Sequence, residues 1–89
     1  MWEFSHALPV QASQHIATLG EGNTPLVPST RIGPHLGLKS LYFKVETQNP
    51  TGSYKDRFAS VAASLMLQEH KHRMIATSSG NTGSSLAAY

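Results

Sequence analysis

A chain of 89 residues has room for one small domain at most, and a domain of that size buries roughly 60–65% of its unfolded surface. Charged residues make up 13% of it, and the net charge of +2 comes with no dense basic run, which argues against a nucleic-acid partner. Without cysteine there is no disulfide, thiolate metal site or cysteine nucleophile, and no apolar run approaches membrane-spanning length.

Charge this sparse on so short a chain implies that part of the surface rests against something else. The opening Met1-Trp2-Glu3-Phe4-Ser5-His6 lacks a basic leader and a continuous apolar core, so it does not read as a signal peptide. A cytoplasmic location is the default expectation. Trp2, Phe4, Leu8 and Pro9 form an apolar lead-in, and a helix is expected around residues 11–19. Residues 20–26 (GEGNTPL) are turn-rich, since two glycines and an asparagine accept positive φ and Pro25 fixes the exit. Leu26-Val27-Pro28 is a short extended piece suited to a sheet edge. Residues 30–38 fit a short helix interrupted at Gly33-Pro34.

Residues 40–46 alternate. Leu41, Phe43 and Val45 fall on one face and Tyr42, Lys44 and Glu46 on the other, which predicts a strand. Residues 47–52 form a loop. Residues 53–72 are the best helix, opened by a capping box at Ser53 and Asp56. Phe58, Val61, Ala62 and Leu65 follow the i, i+3, i+4, i+7 face and are expected to be its buried stripe. The apolar run 74–77 predicts a buried strand. Residues 78–83 (SSGNTG) are a small-polar loop, and residues 84–89 begin another helix. Strand, helix, strand, loop and helix in that order make a βαβ unit, with parallel strands and a right-handed crossover. The expected fold class is therefore α/β, as a partial parallel sheet. A parallel sheet needs cover on both faces, so this chain reads as the front portion of a larger α/β protein.

Two stretches could carry chemistry. Lys55 falls in the first turn of the predicted helix, where the positive end of the helix dipole opposes a cation. That field, with any desolvation, pushes the side chain toward the neutral amine that a Schiff-base lysine needs. A solvated helix start, with Lys55 and Arg57 in water, is the alternative. The loop 78–83 follows a predicted strand and opens a helix. Its small residues let backbone N–H groups approach a carboxylate or phosphate, and Ser78, Ser79, Asn81 and Thr82 add side-chain donors. An ordinary capped βα connection is the alternative.

Other chemistries find little support. No Gly-Lys-Ser/Thr makes a P-loop, and Gly20 and Gly22 lack the third glycine of a dinucleotide fingerprint. Among the five histidines, His70 and His72 stand on different helix faces and His6, His15 and His35 stand alone, so no metal site is expected. The five carboxylates form no evident acid–base pair.

Taken in order, GEGNTPL at 20–26, NPTGSYKDR at 49–57 and SSGNTG at 78–83 resemble the motifs of the pyridoxal-phosphate-dependent β-family, fold type II. GEG before NTPL and an aromatic residue before KDR make it most similar to the threonine synthase subgroup of that family. The resemblance covers nearly all of this chain but only the front part of such an enzyme. It implies that residues 1–89 are an incomplete N-terminal part, with 1–39 a lead-in and loop segment and 40–89 the βαβ unit. It implies that Lys55 carries the pyridoxal phosphate as a Schiff base and moves protons at the substrate carbons. Asn81 would hydrogen-bond the ring oxygen of the cofactor, and Ser78, Ser79 and Thr82 would hold the substrate α-carboxylate. Asp56 and Arg57 would brace the helix start.

The implied reaction is a lyase step converting O-phosphohomoserine and water to threonine and phosphate, in a homodimeric parent enzyme. A dehydratase or cysteine-synthase-like relative is the alternative within the family. A non-catalytic remnant that binds a partner is the alternative outside it. Phe58 departs from the glycine that commonly follows KDR in that subgroup. The family's glycine-rich phosphate loop and the partner of its pyridine nitrogen are not among these residues, so the isolated chain is expected to be inactive.

Overall fold

A computed structural model describes residues 1–11 and 15–89. Two short strands, β1 (Leu26–Pro28) and β2 (Tyr42–Lys44), pair antiparallel with Val27 opposite Phe43. The ladder runs on beyond both ends, since Val45 N–H donates to the Pro25 carbonyl at 2.9 Å and Ser29 N–H to that of Leu41 at 2.8 Å. Pro28 lies on the edge of this ribbon, where its missing N–H costs no ladder bond.

Between the strands sits the single turn α1 (Ile32–His35). Gly33-Pro34 lies inside this turn and does not interrupt it, because a proline in the first turn forfeits an N–H that has no helical partner. Gly33 is buried, and a Cβ there would come within 3.2 Å of the Leu41 Cβ. Short 3₁₀ turns cover Trp2–Ala7 and Glu46–Gln48. The helix expected around residues 11–19 falls partly outside the described residues, and residues 15–18 are not helical.

The main helix is α2 (Lys55–Gln68), shorter than expected at both ends. Ser53 Oγ accepts the Lys55 N–H at 3.2 Å, but Asp56 does not complete the capping box. Its carboxylate reaches past Ser53 to the N–H of Thr51 at 2.7 Å, so the preceding loop is clasped to the helix start. At the other end His70 takes a left-handed conformation (φ 56°), with Lys71 N–H donating to the Met66 carbonyl at 2.8 Å. This Schellman closure ends the helix before His72.

The buried face of α2 is not the Phe58, Val61, Ala62, Leu65 stripe. It is Asp56, Ala59, Ser60 and Ser64, while Phe58 is 54% exposed. The small serines let the segment before the glycine loop approach the helix by its backbone. Ser60 Oγ donates to the Ala17 carbonyl at 2.7 Å, and Ala17 N–H donates to Ser64 Oγ at 3.0 Å. Further along, the Gln68 side-chain amide brackets Gln11, donating to its carbonyl at 2.8 Å and accepting its N–H at 3.2 Å.

The second strand of the expected βαβ unit is absent. Residues 74–77 have no regular structure and Ile75 is 99% exposed, so the only sheet among the described residues is the antiparallel pair. The physical reason is pairing: a strand exists through a hydrogen-bonded neighbour, and no described residue offers one to this run. The last helix, α3 (Asn81–Ala88), begins three residues earlier than expected and packs against α2.

Among the described residues, Val10 and Ala59 are the buried apolar ones; the other buried side chains include Glu21, Thr24, Asn49, Asp56, Ser60, Ser64 and Ser85. The radius of gyration is 16.1 Å, against about 12 Å for a compact chain of this length. Hydrogen bonds between polar groups, more than an apolar core, hold these elements together.

Candidate active site

Two carboxylates tie the first two motif stretches to each other and the second to the helix that follows the third. Glu46, at the end of the predicted strand face, takes both Arg57 donors, Nε at 2.8 Å and Nη2 at 2.9 Å. It also accepts from Thr24 Oγ1 at 2.7 Å and from Asn49 Nδ2 at 3.0 Å. Asn49 in turn accepts the Gly22 N–H at 2.9 Å. The Arg57 guanidinium, helped by the Thr24 hydroxyl, holds the Glu46 carboxyl at about 2, and Glu46 raises Arg57 further in return. Gly22 is forced here. Its φ is +94°, and a Cβ would lie 2.9 Å from the Met1 nitrogen and 3.1 Å from Arg57 Nη1.

The second carboxylate is Asp56. Besides the Thr51 N–H it accepts the Thr51 hydroxyl at 2.5 Å and the Ser85 hydroxyl, from α3, at 2.6 Å. Burial pushes this carboxyl up, but the Ser85 and Thr51 bonds outweigh it and hold it below the usual carboxylate range. A third carboxylate, Glu21, closes the other side. It is buried, and it accepts from Trp2 Nε1 at 3.0 Å, from the N–H of Leu19 at 3.1 Å and from the Tyr89 hydroxyl at 2.8 Å. Burial raises Glu21, yet the hydroxyls facing it, Tyr89 among them, bring it down to about 2. Burial, together with Glu21, pushes the Tyr89 phenol up.

Lys55 is the first residue of α2 and half-buried, with its Nζ 4.7 Å from the centroid of the exposed Tyr54 ring. The 78–83 loop is less open than expected. Ser78 Oγ accepts the N–H of Gly80 at 3.0 Å and of Gly83 at 2.8 Å, so the serine caps α3 and occupies two of the donors expected to face an anion. Asn81 and Thr82 are the first residues of α3, where N–H groups lack helical partners. Ser79 and Asn81 are exposed and Thr82 half-buried.

The Asp56–Ser85 bond brings the Lys55 and Asn81 helices together, although no hydrogen bond joins those two side chains among the described residues. The surface grooves lined by Phe43 and Leu36, by Met66 and Leu86, and by Trp2 and Lys44 include neither of them. No group of three or more potential metal ligands forms among the described residues.

Sequence reasoning assigned Asp56 and Arg57 to bracing, and their bonds agree. It missed Glu46, Thr51 and Ser85 as their partners, and Glu21, Asn49 and Tyr89 as the rest of the network. Their advance signal was position: Asn49 and Thr51 sit inside the NPTGSYKDR stretch and Glu21 inside GEGNTPL.

The donor set fits pyridoxal phosphate in its chemistry. Lys55 carries a primary amine that could take an aldehyde, Asn81 an amide donor, and Ser79 and Thr82 hydroxyls, while Ser78 is engaged with Gly80 and Gly83. A family described as "Pyridoxal-phosphate dependent enzyme" matches residues 17–89. Among curated relatives, a threonine synthase of Halalkalibacterium halodurans is 42% identical over 87 residues, 98% of this chain and 24% of its own length. A threonine synthase of Methanosarcina acetivorans is 38% identical over 89 residues, and one of Methanocaldococcus jannaschii 40% over 89. Each of these two is covered over 22% of its length, so the chain spans about a quarter of the relatives it matches.

Proposed function

We infer the function from one premise: this chain belongs to the pyridoxal-phosphate-dependent enzyme family. We propose that the complete protein carrying it is a threonine synthase, a lyase that converts O-phosphohomoserine and water to threonine and phosphate. The observation that carries this reading is identity of about 40% to threonine synthases along essentially the whole chain. By itself this stretch supplies too little of a site for turnover, so the 89-residue chain alone is inactive.

When bound, the cofactor supplies an electron sink for charge that develops beside the substrate nitrogen. Lys55 is the proposed attachment point, and its Nζ the group that holds and moves protons at the substrate carbons. Its place in the first turn of α2 supports this, because the turn is pinned from both sides by Asp56 and Arg57. Asn81 would donate to the ring oxygen from the first turn of α3. Ser78, Ser79 and Thr82 are the proposed holders of the substrate carboxylate. Of these, Ser78 works through the loop it caps, since its hydroxyl already bonds Gly80 and Gly83.

A finer fold reading goes with this one. Residues 40–89 form the βαβ unit of the complete enzyme, with residues 74–77 a parallel strand once a neighbour pairs with them. The uncovered apolar run there supports it. A homodimeric parent rests on the family resemblance alone, and a cytoplasmic location is proposed beside it as the default.

The test is borohydride trapping of the complete protein with pyridoxal phosphate, followed by peptide mapping. This chain offers Lys39, Lys44, Lys55 and Lys71. Lys44 donates to the Thr24 carbonyl and Lys71 pairs with Glu69, whereas Lys39 and Lys55 have neither kind of partner among the described residues, and of these two Lys55 is the half-buried one. Label concentrated on Lys55 is expected. Label spread over all four would refute the assignment.

A further inference from the structure

The hydrogen bond that joins α2 to α3 is made by a hydroxyl on a carboxylate, beside a groove lined by Met66 and Leu86. Ser85 is the buried residue of α3, and both it and Asp56 are 0% exposed. Asp56 Oδ1 accepts from Ser85 Oγ at 2.6 Å and from Thr51 Oγ1 at 2.5 Å, and those two hydroxyls are 3.1 Å apart. Oδ2 takes the Thr51 N–H. The three side chains therefore close a triangle, and the carboxylate spans loop, α2 and α3 at once.

Its place in the chain gives the triangle a use. Asp56 directly follows Lys55 in the first turn of α2. Ser85 lies one turn after Asn81 on the same face of α3. Serine is also a poorer helix former than the alanines that follow it, so nothing in helix propensity asks for a hydroxyl at 85. Hydrogen bonds to a carboxylate weaken steeply with distance and angle, whereas two apolar faces can slide across each other.

We propose that Ser85 and Thr51 are positioning residues that, by clamping the Asp56 carboxylate, set where Lys55 stands relative to Asn81. This rests on the cofactor reading of Lys55 and Asn81 given above. A misplacement of about 1 Å between groups that must act together can cost on the order of 100-fold in rate. Loss of one of several clamp bonds is expected to cost less, about 10-fold in kcat, with KM changed by no more than about threefold.

The experiment uses the complete protein loaded with pyridoxal phosphate. S85A removes one clamp hydroxyl, and T51V removes the other at nearly constant shape. T51S keeps the hydroxyl. The readout besides kcat and KM is the circular dichroism induced in the visible band of the bound cofactor, taken per mole bound and well below Tm. It reports ring orientation, which a loss of stability alone does not change. S85A and T51V should each lose at least half of that signal, with Lys55 still the lysine trapped by borohydride, and T51S should retain it. If S85A does not fold, T51V carries the same expectation. Unchanged dichroism and kcat in S85A or T51V, even with a lower Tm, would overturn the proposal and leave the triangle a purely structural joint. Failure of the wild-type protein to be trapped at Lys55 would instead overturn the function reading on which it rests.

Discussion

Replacing Glu46 by glutamine removes the charge on which Arg57, Thr24 and Asn49 converge while keeping the volume. The Glu46 carboxyl is brought from its ordinary 4.5 to about 2 by Arg57 first and Thr24 second. A difference of that size corresponds to about 3 kcal/mol between the charged and neutral forms. The Glu46 and Arg57 side chains are 26% and 31% exposed, so solvent screening reduces the stabilisation to about 1.5 kcal/mol. E46Q is therefore expected to lower stability by about 1.5 kcal/mol at pH 7. The sign with pH follows from the lowered value. A carboxylate with a depressed folded pKa stabilises above 4.5, and that contribution disappears as pH falls from 4.5 toward about 2. The wild-type and E46Q proteins should thus converge over that window. Other acidic groups, Glu21 and Asp56 included, titrate in both proteins and cancel in the difference. Urea unfolding followed by far-ultraviolet circular dichroism, at steps from pH 7 down to pH 3, measures it on the complete protein. A gap that stays constant through pH 3, or no gap at pH 7, would refute the assignment of Glu46 as the charged centre of this network.

Two backbone positions give further tests. G22A should cost about 2–3 kcal/mol, because the side chain meets both a positive φ and the Met1 nitrogen, whereas G20A, at φ +88° in open space, should cost about 1 kcal/mol. Equal losses in urea midpoint would show that the packing around Gly22 is not as described. His70 is a non-glycine residue at φ 56° in the closure of α2, so H70G should raise stability by about 0.5–1 kcal/mol, and a lower thermal midpoint would contradict the Schellman geometry.

The NPTGSYKDR stretch was legible because its message is local: turn residues, then an acidic residue early in a periodic run. The strand within residues 40–46 and the helix within 53–72 follow from periods of two and of three to four. Those same patterns were silent on partners. The Phe58, Val61, Ala62, Leu65 stripe exists, but periodicity names an apolar face without saying what lies against it, and the described residues cover the serine face instead. The apolar run 74–77 has strand composition and no strand, because a strand is a property of two segments.

By itself the sequence determined the family, the order of the motifs and the position of Lys55 at a helix start, since each is written in neighbouring residues. The tertiary structure alone decided that Glu21 and Glu46 are joints and that Asp56 reaches across to α3. Their partners stand up to 68 positions away along the chain, as with Tyr89 and Glu21. A carboxylate's worth depends on which donors reach it and how much water is excluded, and both are settled only when those distant residues meet.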